Sequence, residues 1–590
     1  MADTKDSLVE RKLPDSVGVY YKFKLNSENV VICNFCKKEF KFHNSTTSLM
    51  YHINNKHTGA KKQSQHSLEV KPVGPINNFL LKGAPLSNDR ITSINTALIN
   101  WLAGSGRPAN IVDDEKFKNF MRVAVGNSNY NPPSRTTISR ETDKLYVQKK
   151  SDLVKKLESA VFVSLTADYW TSVANHNYLG VTGHWISEQW ELNSCVLTVL
   201  FTEDRHYAEN CAQHFSSVTS DFGIANKVIA ITTDNARNVT AAMRMLPHVH
   251  IPCVAHCIQL SLNTGMNEAD LAQVLSKCRK IVGHFKHSSA NTRELEAQLA
   301  ALDMEKLSVV QDVSTRWNST YDMLSRLIQL RDAITAVLTE HRHSLCMLKE
   351  QDWSKMKNIC NVLQHVKYVT EILGGSKYVS CSLVLPTLCH LRRLMSAEDD
   401  DPAYIARFKQ SFLLDLDDRF DDRTVLWLRC ASALDPRFKS LKFVPERFRQ
   451  DIWDKLTAEV KAVQDDKAKE RDKTADVQQT PSKRQRLLCF DSSDDEESVQ
   501  IKQSSAKDIV NRYRVVPSIS DNADPLAWWV SFSGAHPELA VLAKKYLAAP
   551  ATSVPCERLF SKAGNIVSKK RCTLTPKNTL KLVCLSEWLQ

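Results

Sequence analysis

The spacing of apolar residues changes several times along the chain, and each change predicts a different kind of structure. Between residues 91 and 121 apolar side chains recur at helical spacing, and Pro132 and Pro133 then break any helix. From Ala160 the pattern becomes one of β-forming runs, with a helical stretch at 210–223 before the last of them. The predicted strands lie at 160–170, 177–186, 194–202 and 227–234. This order predicts a meander with helices following it, and from about 267 to 521 the pattern is predominantly helical.

Two aspartates stand at the predicted ends of strands. The run AVFVSLTAD ends in Asp168, and KVIAITTD ends in Asp234 before a helix that begins near Asn235. In α/β sheets the carboxyl ends of the strands form the edge where sites lie, so the two carboxylates are candidate site residues. The alternative for each one is a helix N-cap or turn residue.

Length and composition narrow the class of protein. A chain of 590 residues suggests roughly three to five compact units, since domains average ~150 residues. No apolar run approaches the ~20 residues that span a bilayer, and residues 1–16 lack the apolar stretch of a secretory signal. We therefore expect an intracellular protein with no membrane partner. Its sixteen cysteines are then expected to be thiols, with metal ligands among them, rather than disulfides.

Positive charge is concentrated near the N-terminus. The formal net charge is +12, and residues 16–71 hold nine lysines against three glutamates, a net charge of +6 in a tenth of the chain. Such a cluster favours a polyanionic partner, because neutralising phosphates releases counterions. A polyanion that bears phosphates is therefore the partner that we expect for this segment.

Within the basic segment, two cysteines and two histidines have the spacing of a zinc site. Cys33 and Cys36 are two residues apart, and His52 and His57 follow after fifteen more residues. Two thiolates and two imidazoles make a closed tetrahedral Zn²⁺ site, and the metal stabilises a segment too short to fold on its own core. Residues 30–32 are predicted to form a strand, and residues 48–57 a helix that carries both histidines and is capped by Ser45 or Thr46.

The segment with the zinc ligands is followed by a linker. A second polar stretch interrupts the predicted helical region. Residues 61–88 hold Lys, Gln, Ser, Gly and Pro without periodicity, and residues 465–505 are charged and nearly free of aromatics, which predicts a disordered loop. Within this loop, residues 483–486 (KRQR) are either a nuclear import signal or simply solvated. Ser492 and Ser493 precede four acidic residues and are candidate phosphorylation sites.

Apolar residues near the C-terminus recur at helical spacing on two faces. The first face comprises Trp528, Trp529, Leu539, Leu542, Ala543, Tyr546 and Leu547, and the second Leu574, Leu580, Leu582, Val583 and Leu585. Burying these faces against a second copy of the chain would form a hydrophobic interface of the obligate type. The alternative is packing within one chain.

The finger segment resembles the BED-type zinc finger. The resemblance covers residues 16–57 and rests on Tyr20-x-x-Phe23 before the first cysteine and on the S-x-x-L-x-x-H-x4-H ending, with Tyr20 where Trp is commoner. It implies DNA binding, in agreement with the charge, and makes Lys37, Lys38, Lys41 and Lys56 the candidate DNA contacts. A zinc-stapled protein-interaction module is the alternative.

Three later segments, SLTADYWTS, ITTDNARNV and IPCVAHCIQLSLN, resemble in order the blocks of hAT transposases. The resemblance implies an RNase H-like fold split by a large helical insertion. It also implies DNA cleavage by two Mg²⁺ or Mn²⁺ ions held by two aspartates and a glutamate, here Asp168, Asp234 and Glu557. Paired carboxylates suit that chemistry, since they hold two metal ions ~4 Å apart. Outside the resemblance, Glu557 is explained as a surface partner of Arg558 or Lys562.

Two further blocks follow from the same resemblance. Cys253 and His256 match its Cys-x2-His block, and together with Cys257 we interpret them as residues packed at a helix start rather than as a second zinc site. The string STRWNSTYDML places Trp317 near the DNA to be cut, with a core aromatic as the alternative. The residues from Asp524 onward resemble the hAT C-terminal dimerisation region, which contains Glu557. This resemblance implies that the two apolar faces meet a second copy of the chain.

The fold predicted is multidomain, α/β plus α. Its parts are a BED-type finger (14–60), a linker (61–88), a small helical domain (89–150), the first part of an RNase H-like core (155–265), a helical insertion (266–520) and a dimerisation region that completes the core (521–590). The function predicted is that of a nuclear, dimeric DNA-binding protein derived from a hAT transposase, with a transcription regulator favoured. An active transposase is the first alternative. A SUMO ligase or scaffold is the second, for which the chain offers only the apolar-acidic run 487–497.

Overall fold

The computed structural model describes most of the chain, in two compact units. The described residues are 13, 15–18, 20–24, 29–43, 46–57, 85–205, 207–269, 271–313, 316, 318–340, 347–375, 377–475, 504–567 and 574–590. One unit comprises residues 1–92 with 112–132, and the other residues 93–111 with 133–590. The linker predicted at 61–88 lies largely outside the described residues.

The finger, residues 15–57, contains a small three-stranded sheet and two helices. Helix α1 (Asp15–Gly18) precedes strands β1 (Tyr21–Phe23), β2 (Val30–Cys33) and β3 (Glu39–Lys41), which pair antiparallel in the order β1-β2-β3, and helix α2 (Thr47–Lys56) follows. The predicted strand and helix are both present. Thr46, however, makes no side-chain cap, because its backbone is already helical.

Three helices connect the finger with the large sheet. They are α3 (Asn88–Gly104), α4 (Glu115–Val125) and α5 (Arg135–Glu158). Helix α4 is bounded by the Asp114 cap, which accepts from the amides of Lys116 and Phe117, and by Gly126 in the left-handed conformation. Helix α5 begins directly after Pro132 and Pro133, where the Ser134 hydroxyl accepts from the Thr137 amide.

The large sheet has five strands in the order β6-β5-β4-β7-β8. Strands β4 (Val163–Thr171), β5 (Asn177–Ile186) and β6 (Leu192–Thr202) form the antiparallel meander. Strand β7 (Val228–Thr233) pairs in parallel with β4, and β8 (Val249–Pro252) pairs in parallel with β7. The four predicted strands are confirmed, and β8 is an addition. Helices α6 (Ala208–Asp221) and α7 (Arg237–Met245) supply the crossovers.

A large helical region follows the sheet and, over its described residues, contains no strand. Its helices are α8 (Val254–Glu268), α9 (Ala272–Lys286), α10 (Ser289–Ala301), α11 (Ser319–Gln329), α12 (Arg331–Glu340), α13 (Glu350–Leu373), α14 (Val384–Leu394), α15 (Ala403–Asp417), α16 (Asp422–Leu434), α17 (Glu446–Ala475) and α18 (Ala506–Val515). Their apolar faces share one core, which also includes Ile251 of β8 and Trp529.

One prediction for this region is partly wrong. The polar stretch was expected to lack structure from residue 465, but α17 continues to Ala475 because its charged residues are good helix formers. The basic cluster at 483–486, Ser492, Ser493 and the run 487–497 lie outside the described residues.

The C-terminal region returns to the sheet. It consists of α19 (Pro525–Phe532), α20 (Pro537–Leu547), α21 (Val554–Ile566) and α22 (Pro576–Trp588). Helices α21 and α22 pack on β5 and β6 through Leu559, Ala563, Val583 and Cys584. Within the described part of the chain, no helix combines the length and apolar character that crossing a membrane requires.

Candidate functional site

The four predicted zinc ligands converge in the finger. One ligand atom each from Cys33, Cys36, His52 and His57 lies within 4.8 Å of all the others, and Cys36 Sγ is 3.2 Å from His52 Nε2. A tetrahedral Zn²⁺ with these donors has ligand–ligand edges of about 3.3–3.8 Å. Two thiolates and two imidazoles at this spacing fit the metal, and the set is complete, as in a structural site.

Local structure explains why the ligands meet. Cys33 ends β2, and the chain turns through Lys37, whose φ of 60° is left-handed and whose amide donates to the Cys33 carbonyl. His52 lies on α2, and His57 is the residue that ends it. Burial, followed by the positive charges of His57, Lys38 and Lys56, lowers the pKa of His52. The neutral imidazole is the form that binds zinc.

The tyrosine buried in the finger is the residue after the one on which the resemblance rests. Tyr21, not Tyr20, is buried in the core, and its hydroxyl donates to the Leu49 carbonyl at 2.8 Å, which ties β1 to α2. Tyr20 is half-buried and lies against Phe35, with ring centroids 6.3 Å apart. Strand alternation decides which of two adjacent tyrosines points inward, and the short β1 did not show its register in the sequence.

The lysines proposed to contact DNA lie on the surface. Lys37, Lys38, Lys41 and Lys56 are all exposed, and Tyr51 on α2 is 70% exposed. Lys24 and Glu39 form an ion pair at 2.6 Å, so these two charges offset each other. The finger therefore presents a basic surface with an exposed aromatic side chain.

A second cluster forms at one edge of the large sheet. The β4–β7 ladder ends with the pair Ala167 and Thr233, and Asp168 and Asp234 are the next residues along the chain. Asp168 was expected to end its strand, but β4 continues to Thr171 in its pairing with β5. It does lie where the parallel pairing ends.

Helix α21 brings the glutamate to the same edge. Cys556, which precedes Glu557, is buried and its thiol lies 3.3 Å from the Thr166 carbonyl of β4. Gly180, opposite Asp168 on β5, makes this approach possible, since a Cβ there would lie 2.7 Å from Phe560 Cε1. The glutamate is thereby fixed beside two strands that are more than 370 residues earlier in the chain.

The three carboxylates interact electrostatically. Burial, followed by the negative charge of Asp234, raises the pKa of Asp168 to about 8, and Glu557 adds to this while His256 opposes it. Burial also raises the pKa of Glu557, against the positive charges of His256 and Arg316. Glu557 Oε1 is buried, has no hydrogen-bond donor among the described residues, and lies 4.0 Å from His256 Nε2. A partnerless buried carboxylate oxygen is a position that a cation would satisfy.

The cluster is looser than a metal-binding set. Across the described residues, only the finger brings three or more possible ligand atoms within 4.8 Å of one another. The carboxylates fit divalent metals by their chemistry, since Mg²⁺ and Mn²⁺ prefer oxygen ligands. Holding two ions would draw their side chains closer together.

The Cys-x2-His block at the start of α8 packs against its neighbours. The buried Cys253 sulfur accepts from the Ser553 amide at 3.3 Å, and the Cys257 sulfur accepts from the Asn235 side chain at 3.1 Å. The block thus joins the C-terminal region to the end of β7, and His256 faces Glu557. The role of His256 beside the carboxylates was not foreseen. The Cys-x2-His motif was visible in the sequence, but the fold decides that its histidine faces Glu557.

The other candidates near this edge have different outcomes. Trp317 lies outside the described residues, whereas the positive charge of the neighbouring Arg316 opposes the rise in the pKa of Glu557 that burial causes. Glu557 does not pair with Lys562, which instead bonds Glu587 at 2.5 Å. Arg558 donates to the Gly374 carbonyl at 2.9 Å and so ties α21 to the end of α13.

The apolar faces expected to form a dimer interface are mostly interior to one chain. Trp529 is fully buried, stacks on Trp190 at 5.6 Å, and donates from its indole to the Leu434 carbonyl. Other residues of both faces are buried in the same way, namely Leu539, Leu542, Ala543, Tyr546, Leu547, Val583 and Leu585. The expected interface is therefore wrong for these residues, because helical periodicity marks a buried face without showing which molecule buries it.

Comparison with known proteins agrees with these parts. The family model of the BED zinc finger matches residues 19–58, that of the ZBED1 RNase-like domain 166–255, and that of the ZBED1 RNase-like helical domain 251–362. The model of the hAT family C-terminal dimerisation region matches residues 505–589. The chain is thus a multidomain protein with a BED finger, an RNase-like α/β domain, a helical domain and a hAT C-terminal region.

Similar whole proteins share this combination. The "Putative AC transposase" of Zea mays is 24% identical over 94% of this chain and 72% of its own length. The "Putative transcriptional regulator tpeD" of Talaromyces stipitatus is 24% identical over 82% of this chain and 60% of its own length. "Zinc finger BED domain-containing protein 4" of Homo sapiens is 23% identical over 83% and 43%. The chain therefore resembles both hAT transposases and BED zinc finger proteins over most of its length.

Proposed function

We propose that this protein binds double-stranded DNA in the nucleus through its finger and acts as a regulator of transcription. The observation that carries the proposal is the convergence of Cys33, Cys36, His52 and His57 within 4.8 Å, beneath a surface of exposed lysines. A zinc-held fold of this size presents a fixed surface, and lysines on it attract phosphates. The fungal relative named a transcriptional regulator supports the regulatory role.

The test is duplex DNA binding by the full-length protein over a range of salt concentrations. We expect binding that weakens steeply as salt rises, and loss of binding in Cys36→Ala, because the finger cannot close without the ligand. Gel shifts with random-sequence duplexes at low salt detect even the non-selective component. Equal binding by the wild type and Cys36→Ala would contradict the proposal.

DNA cleavage by two metal ions is the second candidate function. The specific observation in its favour is the convergence of Asp168, Asp234 and Glu557, from three separate elements, at one sheet edge. These three carboxylates would hold the Mg²⁺ or Mn²⁺ ions. The bound ions would supply activation of a water molecule and stabilisation of the leaving oxygen. His256 and Arg316 would add positive charge beside Glu557. The maize relative named a transposase supports this candidate.

Self-association through the C-terminal region is the third element of the proposal. The match to a dimerisation region supports self-association. Because Trp529 is buried within its own chain, the contact must involve other side chains of this region that remain exposed. Val515 and Val530 are such residues, at 83% and 56% exposed. We expect the full-length chain to sediment as a dimer and Val515→Asp with Val530→Asp to shift it toward monomer. Truncation is a poor test, because it removes part of the core.

A SUMO-related role has no support among the described residues. Its one sequence feature, the run 487–497, lies outside them.

A further inference from the structure

A cleft separate from both candidate sites lies between α3, α5 and α22. Its volume is about 410 Å³, within the ~300–1,000 Å³ typical of small-molecule sites. Its walls come from the end of α3, the turn at residues 107–110, and the first turns of α5 and α22. All of these residues belong to the larger unit.

Two arginines line the cleft without an acidic partner. Neither Arg107 nor Arg135 lies within ion-pair distance of a carboxylate among the described residues. The third cation of the cleft, Lys581, is different, since it is 8% exposed and bonded to Asp143. The cleft therefore carries two uncompensated positive charges, and guanidinium groups bind phosphate oxygens through paired hydrogen bonds.

The position of Arg107 is fixed by the turn before it. Gly106 has a left-handed φ of 58°, and a Cβ there would lie 2.7 Å from Ile566 Cγ1 of α21. The Arg107 amide donates to the Leu102 carbonyl at 2.8 Å and closes the turn. The backbone beneath this arginine is therefore set before any ligand binds, which lowers the cost of ordering the site.

The rest of the lining is apolar, with amides at the rim. Pro108, Leu574 and Leu582, each at least partly exposed, provide an apolar surface, and Asn110 and Asn578 supply donors and acceptors. An inorganic anion would leave the apolar surface uncovered. A nucleotide has the matching parts, since its phosphate suits the arginines, its base suits the leucines, and the base edge suits the amides.

We propose that the cleft between α3, α5 and α22 binds a nucleotide, with Arg107 and Arg135 holding the phosphate against an apolar base pocket. The nucleotide is either free or part of a DNA strand, and both sources present the same phosphate and base. The proposal does not depend on DNA binding by the finger, because the cleft residues lie outside the finger.

Titration calorimetry on the full-length protein tests the proposal with dAMP, deoxyadenosine, inorganic phosphate and a short 5′-phosphorylated single strand. Lys37→Glu with Lys41→Glu is present throughout, so that the finger contributes little to binding of the strand. Arg107→Ala and Arg135→Ala remove the two charges. Arg140→Ala is the matched control, because Arg140 lies on the same helix but pairs with Glu141 outside the cleft. Thermal melting checks that each variant stays folded.

We expect dAMP to bind at least about tenfold tighter than deoxyadenosine or phosphate, and each cleft arginine variant to weaken it about tenfold. Asp143→Asn should tighten binding, since it frees the Lys581 charge. If only the 5′-phosphorylated DNA strand binds, and both arginine variants weaken that binding, the result would also support the site. It would identify DNA as the source of the nucleotide. Equal binding of dAMP and phosphate would overturn the proposal. So would the absence of binding by any probe, or binding that the arginine variants leave unchanged.

Discussion

Asp168 and Asp234 follow the last residue pair of the parallel β4–β7 ladder, so they stand side by side on neighbouring strands. Adjacent strands are ~4.8 Å apart, which brings the two backbones as close as folding allows. The repulsion between the carboxylates contributes to the raised pKa of Asp168. A protein that places like charges together gains stability from a bound cation, and this relation underlies the last prediction below.

The finger is expected to hold one equivalent of zinc. Structural zinc contributes ~10–16 kcal/mol to the folding of such peptides, so removing one ligand should release the metal and unfold the finger. Metal analysis should find one zinc in the wild type and none in His57→Ala. Cys389→Ser is the control, because Cys389 is a thiol far from the set in sequence. Zinc retained by His57→Ala would contradict the assignment.

Charge reversal on the finger should weaken binding to all DNA sequences alike. Lys37→Glu and Lys41→Glu each remove an exposed cation, so the slope of log K against log salt should fall by about one for each lysine that contacts a phosphate. Fluorescence anisotropy at several salt concentrations measures that slope. Lys306→Glu is the control, since Lys306 is equally exposed but lies outside the finger and pairs with Glu296. A slope unchanged in both finger variants would place the DNA contact elsewhere.

Gly180 is expected to control how closely α21 approaches the sheet. In Gly180→Ala the new methyl would lie 2.7 Å from Phe560, so the helix must shift, at a cost of about 1–3 kcal/mol. Thermal melting should show the loss, and Phe560→Leu in the same chain should restore part of it. Gly183→Ala is the matched control, because its Cβ would meet only the end of Leu197 at 3.3 Å. Equal melting temperatures for both alanine variants would contradict this view of the packing.

A buried histidine should make the protein sensitive to acid. Burial lowers the pKa of His184 to about 3, and its Nε2 lies 2.7 Å from the Thr182 hydroxyl. The unfolded chain binds a proton at this residue below about pH 6.5 and the folded chain does not, so stability is present above that pH and is lost as the pH falls toward 3. The loss is at most about 1.4 kcal/mol per pH unit.

Melting curves of the wild type and His184→Gln between pH 7 and pH 4 test this expectation. The glutamine preserves a polar partner for Thr182 and does not titrate, so the variant should lose less stability in acid. His287→Gln, which replaces an exposed imidazole, is the control. Parallel pH profiles for the wild type and His184→Gln would show that another group dominates.

The sequence predicted the finger and four of the five strands of the large sheet, because fixed spacing and long β-forming runs are local signals. It did not predict β8, whose four residues are too few to show a period. Helix α5 was not singled out either, since only Ile138, Leu153 and Leu157 of its 24 residues are buried and its face is mostly polar.

The candidate site shows the same division between local and distant signals. Asp168 and Asp234 follow recognisable strands, whereas the place of Glu557 depends on a helix returning across more than 300 residues, which only the family resemblance indicated. His256 and Arg316 beside Glu557 have no local signature of that role. Trp529 shows the converse error, because a buried apolar face was assigned to a partner molecule when its own chain covers it.

The last prediction concerns the carboxylate cluster, and it separates metal binding from catalysis. If the three carboxylates hold divalent ions, Mn²⁺ should raise the melting temperature of the wild type, because a cation offsets the repulsion that raises the pKa of Asp168. Asp168→Asn, Asp234→Asn and Glu557→Gln keep the shape of the side chain and remove its charge. Each should lose the stabilisation by Mn²⁺ and, without metal, melt at or above the wild-type temperature. Glu587→Gln is the control, since Glu587 lies on α22 and its carboxylate pairs with Lys562 rather than with the cluster.

Cleavage is then measured on duplex DNA that carries terminal repeats, with Mg²⁺ or Mn²⁺. An active protein should nick that DNA, and each of the three substitutions should abolish nicking while leaving finger-mediated binding intact, since removing one metal ligand in a shared site removes the whole activity. Stabilisation by Mn²⁺ without nicking would mean that the metal site persists in a protein that acts only by binding DNA. Neither stabilisation nor nicking would leave the cluster without a metal, and the finger would then carry the function alone.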